Sequence, residues 1–76
     1  SEARGIIPNS TPLAQHTKAR EEMDELGKAL EDSNRDEIID GLGDVMVCLI
    51  NISALCDLDL TRCLKAAYEQ IKDQQI

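Results

Sequence analysis

Residues 35–56 read RDEIIDGLGDVMVCLINISALC. The first half of this stretch carries charge on one side. The second half, VMVCLINISALC from Val45 to Cys56, is apolar on nearly every side. No Pro interrupts it and nothing alternates with period two, so it reads as a helix of about residues 35–56. A helix apolar all round must be covered all round. A chain of 76 residues is too short to do that alone; at this size only about 60% of the unfolded surface is buried on folding. With no Trp, no Phe and one Tyr, the core has to come from Leu, Ile, Val, Ala and Met, which suits helix packing. The expected fold is all-α: a three-helix protomer that forms a four-helix-bundle-like core on oligomerisation, as a homodimer or homotetramer.

Working upstream, Asn34 caps this helix, with Glu37 at the spacing of a capping box. Before it comes a helix of about 12–31, opened by Thr11 as N-cap and Pro12 at the first helical position. Its apolar residues, Leu13, Ala19, Met23, Leu26 and Leu30, recur at near-helical spacing, and Gly27 weakens it by about 1 kcal/mol relative to Ala. Downstream, Asp57-Leu58-Asp59 leads into a helix of about 60–73 with Asp59 as N-cap. Leu60, Leu64, Ala67 and Ile71 make its stripe, with Cys63 and Tyr68 beside it. Residues 1–10, SEARGIIPNS, read as an N-terminal loop or a truncated helix end, with Gly5 and Pro8-Asn9-Ser10 as breakers. The whole chain, 1–76, reads as a single domain.

The net charge of −7 argues against nucleic acid and against anionic membrane surfaces. Divalent cations fit better, and a nucleotide fits if a metal neutralises its phosphates. The longest strictly apolar run, Val45 to Ile50, is far below the roughly 20 residues of a membrane span, and Ser1 to Ile7 does not read as a signal peptide. Cys48, Cys56 and Cys63 lack zinc-ligand spacing and read as reduced core thiols, which favours a cytoplasmic setting.

Acidic residues recur on two faces. In Glu21-Glu22-Met23-Asp24-Glu25, Glu22 and Glu25 are three apart and share a face that extends back through Lys18 and Gln15. In the next helix Glu37, Asp40 and Asp44 form a second stripe. Antiparallel pairing across a short turn sets the stripes opposite each other. Each like-charged pair at about 4 Å costs on the order of 4 kcal/mol at an effective dielectric of 20, a penalty that a hard divalent cation removes. Mg²⁺, or Mn²⁺ in its place, takes oxygen ligands and is commonly completed by substrate phosphates. The plain alternative is a solvated acidic face, with Glu37 serving only the cap. Asp44, at the edge of the apolar stretch, is expected to be partly desolvated and in need of positive charge. His16 reads as a surface residue, Tyr68 as packing, and Gly41 and Gly43 as sites of close helix approach rather than a phosphate loop.

Together, Glu21-Glu22-Met23-Asp24-Glu25-Leu26 and Asp40-Gly41-Leu42-Gly43-Asp44-Val45 resemble the MazG-type all-α nucleoside triphosphate pyrophosphohydrolases, with the likeness running from about Thr11 to Lys72 and nearest to the short, phage-type members. The resemblance implies Mg²⁺-dependent cleavage of an NTP or dNTP to the monophosphate and pyrophosphate. It implies metal ligation by Glu22, Glu25 and Asp44, with Glu21 or Glu22 orienting or deprotonating the water. The family's remaining acidic ligand falls on Gly41, so Asp40 takes its place, with Glu37 as the further candidate. Phosphate binding falls to Lys18 and Lys72, and Gln15 contacts the nucleotide. Glu69 and Gln74 stand where the family often has Asn and Arg, which weakens the phosphate clamp or leaves it to another subunit. The competing expectation is a helical oligomerisation or regulatory module, or a degenerate family member that binds nucleotides without cleaving them.

Overall fold

The computed structural model describes residues 10–74. It contains three helices, α1 (Pro12–Glu31), α2 (Arg35–Leu55) and α3 (Leu60–Gln74), and no strand among the described residues. The expected helices are all present, with Cys56 capping α2 rather than ending it. The reading of the N-terminal loop falls largely on residues 1–9, outside the described residues.

The helix starts follow the expected side-chain chemistry. Thr11 Oγ1 accepts from the Ala14 N–H at 3.0 Å, and Asn34 Oδ1 from the Glu37 N–H at 3.3 Å. An Asp59 carboxylate oxygen accepts from the N–H groups of Thr61 and Arg62, at 2.9 and 3.4 Å. The ends of α1 and α2 share one device. Ser33 (φ 54°) and Asp57 (φ 60°) adopt the left-handed conformation. The following N–H groups then reach back, Asn34 to the Ala29 carbonyl at 3.0 Å and Leu58 to the Ser53 carbonyl at 2.7 Å. These are Schellman closures with Ser and Asp where Gly is usual. The Asn34 N–H is therefore committed to Ala29, and only the Asn34 side-chain half of the capping box forms.

α1 and α2 pack as an antiparallel hairpin. The residues of α1 drawn toward α2 are Gln15, Ala19, Glu22, Leu26 and Ala29, all buried or half-buried and spaced four and three apart in turn. Their counterparts on α2 are Ile38, Gly41, Val45, Cys48, Ile52 and Leu55. This spacing is that of a coiled-coil seam. Buried apolar side chains are few among the described residues: Leu26, Ala29, Val45 and Cys48.

The core expected from the sequence is corrected in three places. Leu13, Met23 and Leu30 lie off the seam and are 78%, 53% and 56% exposed, because polar Gln15 and Glu22 hold seam positions that the apolar pattern assigned elsewhere. The stripe of α3 meets only the end of α2, so Leu64, Tyr68 and Ile71 are exposed. Cys56 and Cys63 are exposed too, and only Cys48 is a core thiol. The radius of gyration, 14.5 Å, exceeds the roughly 11 Å of a compact domain this long. By length and composition α2 is also apolar enough to cross a membrane, although Asp40 and Asp44 would each oppose that by about 2.5–3.5 kcal/mol if they sat near the bilayer centre.

Candidate functional site

Two recesses lie along the groove between α1 and α2, and Asp44 borders both. The first, about 220 Å³, is bounded by Glu25 of α1 and by Glu37, Asp40, Gly41 and Asp44 of α2. The second, about 370 Å³, takes Gln15, Lys18 and Glu22 from α1, with Asp44, Val47, Cys48 and Asn51 from α2. The antiparallel register explains the grouping. Gln15 stands opposite Asn51, and Leu26 packs on Gly41. Seven residues inward from the Gln15–Asn51 rung, about 10 Å along each axis, come Glu22 and Asp44.

Glu25, Glu37, Asp40 and Asp44 thus face one hollow, and Gln15, Lys18, Glu22 and Asp44 its neighbour. Glu21 is exposed and borders neither recess. Lys72 borders neither as well, with its Nζ 3.5 Å from Glu69 on its own helix. Among the described residues, no three His, Cys, Asp or Glu side chains stand close enough together to hold one ion. The acidic groups share a groove without converging at a point. Glu25, Glu37, Asp40 and Asp44 are all exposed, and unneutralised carboxylates in water gain by keeping apart.

Desolvation falls on a different carboxylate from the one expected. Asp44 is exposed, whereas the Glu22 side chain, on the seam, is only 14% exposed and has Lys18 Nζ 3.7 Å away. The Lys18 side chain is 58% exposed, and such i,i+4 pairs contribute only about 0.3–0.5 kcal/mol, so its ammonium is free to exchange partners. Beneath this pair lies Cys48. Burial pushes its thiol above the ordinary value, Glu22 and then Asp44 add to the rise, and Lys18 opposes it. Cys48 is therefore a neutral thiol at pH 7, acted on by one carboxylate from each helix.

Gly41 lies at the closest approach of α1 and α2. A Cβ built there would lie 3.1 Å from Leu26 Cδ1 and 3.3 Å from Leu26 Cα. A side chain at 41 would require Leu26 to give way by a few tenths of an ångström; the acidic groups beside it are those of Asp40 and Glu37. Gly43 has open space around it, so close approach explains the first glycine and not the second.

Asn51 has a place in the groove that its sequence context did not suggest. It is 7% exposed, and its Nδ2 donates to Gln15 Oε1 at 3.2 Å. Gln15 Nε2 in turn donates to Ser10 Oγ at 2.9 Å. Asn51 Oδ1 is buried without a hydrogen-bond partner among the described residues. The available signal was one amide inside an otherwise apolar run.

No protein-family model, curated protein or solved structure matches the chain.

Proposed function

We propose that the chain is a Mg²⁺-dependent nucleoside triphosphate pyrophosphohydrolase that works as a homodimer or homotetramer. The observation that carries the reading is the position of Asp44 between the two recesses, with three carboxylates on one side and Glu22 with Lys18 on the other. The donor set is all carboxylate oxygen, which suits Mg²⁺ or Mn²⁺. Glu25, Asp40 and Asp44, with Glu37 or Glu22, would hold the metal. Their exposure leaves their rotamers free to turn inward at small cost. A bound ion would neutralise these groups and take up phosphate oxygens.

Within this reading Lys18 leaves Glu22 and binds a phosphate. Glu22, held on the seam and relieved of its lysine, orients a water and accepts its proton; Glu21, exposed and outside both recesses, is not placed to do so. The water oxygen bonds to the α-phosphorus, and the bond from that phosphorus to the bridging oxygen breaks. The products are the monophosphate and pyrophosphate. Lys72 contributes only if assembly brings it from another copy.

A second reading is favoured by the lack of a convergent acidic trio among the described residues and by the wide exposure of α2 and α3. It is a helical oligomerisation module, or a degenerate nucleotide binder, with solvated acidic faces. A pyrophosphate-release panel over NTPs and dNTPs separates the two. The enzyme releases pyrophosphate from at least one substrate with Mg²⁺ and loses this in Glu25→Ala. Release from none, or full activity in Glu25→Ala, rejects the assignment.

A further inference from the structure

The second recess has a polar end that phosphate chemistry at Glu22 and Asp44 leaves unused. Glu22, Lys18 and Asp44 lie at one end. At the other, about 10 Å along the helix axes, Asn51 is nine-tenths buried, and its Oδ1 has no hydrogen-bond partner among the described residues. Leaving a buried amide oxygen without a partner costs about 1–3 kcal/mol, and native interiors rarely leave such a group unmatched.

In the chain Ser10–Gln15–Asn51, Ser10 Oγ accepts from Gln15 Nε2 at 2.9 Å and Gln15 Oε1 accepts from Asn51 Nδ2 at 3.2 Å. Asn51 is left presenting an acceptor beside the apolar Val47 and the neutral thiol of Cys48. An ammonium ligand would meet little anionic charge at this end. A planar, neutral group with an N–H on its edge fits.

We infer that Asn51 is a specificity residue whose Oδ1 accepts a hydrogen bond from an N–H on the nucleobase edge, with Gln15 and Ser10 as the positioning residues behind it. This rests on the metal–triphosphate reading, which puts the phosphates at the Glu22–Asp44 end. The separation then matches the span from the phosphates of one nucleotide to its base.

The test is equilibrium binding by calorimetry with Mg²⁺ and two probes: inorganic tripolyphosphate, which has no base, and the non-hydrolysable α,β-imido analogue of dCTP. Wild type is expected to bind both, the nucleotide more tightly. Asn51→Ala is expected to weaken the nucleotide about tenfold, the equivalent of one hydrogen bond, and to leave tripolyphosphate unchanged. Ser10→Ala, at the edge of the fold, covers the case in which Asn51→Ala does not fold. It removes the acceptor that orients Gln15 and should weaken only the nucleotide, by about two- to threefold, roughly half a hydrogen bond's worth. Equal binding of the two probes by wild type, or equal loss of both in the variants, overturns the Asn51 assignment alone. Wild type that binds neither probe overturns the metal–triphosphate reading and this inference with it.

Discussion

Leu26 packs so closely on Gly41 that a Cβ at position 41 would lie 3.2 Å from the Leu26 Cβ. This contact sets the distance between α1 and α2 at the level of the acidic groove. Gly41→Ala is expected to lower the melting temperature, because overpacking by one methyl costs about 1–3 kcal/mol against a helix-propensity gain of about 1 kcal/mol. At Gly27 a Cβ would meet nothing within 4 Å, which gives the opposite sign: Gly27→Ala should stabilise by about 1 kcal/mol. Thermal melts of the two variants check both, and a rise for Gly41→Ala would mean that the helices sit further apart than described.

The cysteines should separate by reactivity. Cys56 and Cys63 are exposed and Cys48 is buried, so a mass-resolved alkylation of dilute, dissociated protein at pH 8 should label two thiols rapidly and the third only on unfolding. The raised position of Cys48 also fixes a sign. The folded state holds this proton to higher pH than the unfolded chain does, so the associated stability is complete below about the ordinary value, 9.0, and is lost as pH rises above it. Because Glu22 contributes to the rise, Glu22→Gln should make this loss of stability above the ordinary value smaller. Labelling of all three at one rate would contradict the seam.

Much of the fold was legible from capping and periodicity. Thr11, Asn34 and Asp59 start their helices as their side chains predict, and the polar turns end them. The seam of α1 was not legible, because Gln15 and Glu22 stand where apolar residues mark a core. The apolar pattern points instead to Leu13, Met23 and Leu30, which lie off the seam. The groove was readable to a similar depth. The i,i+3 spacing of Glu22 and Glu25, and of Glu37 with Asp40, put these four residues along the groove between α1 and α2, because antiparallel pairing needs only the turn to be short. Which carboxylate would be covered depended on the register between helices. The register is seen in the Gln15–Asn51 and Leu26–Gly41 pairings, and a sequence does not print it. Asn51 carried no spacing signal; that its Oδ1 is buried without a partner among the described residues shows only in three dimensions.

Leu64 on α3 and Leu49 on α2 are 69% and 38% exposed and border an apolar recess of about 320 Å³ with Met46, Leu60 and Cys63. A second copy is expected to cover this surface. The melting temperature should then rise with protein concentration. Leu64→Glu should remove that dependence and reduce the sedimenting mass. A concentration-independent melt in wild type would count against assembly.

The proposed function depends on carboxylates from α1 and α2 gathering around one divalent cation. The most direct measurement is the Mg²⁺-dependent thermal shift of three proteins. These are wild type, Asp44→Asn at the junction of the recesses, and Asp24→Asn, which removes the same charge from a residue that borders neither. At a hundredfold excess of Mg²⁺ over its dissociation constant, wild type and Asp24→Asn should gain about 2.7 kcal/mol, a shift on the order of 10 °C, and Asp44→Asn little. No shift in wild type, or equal shifts in all three, would contradict the shared-cation site.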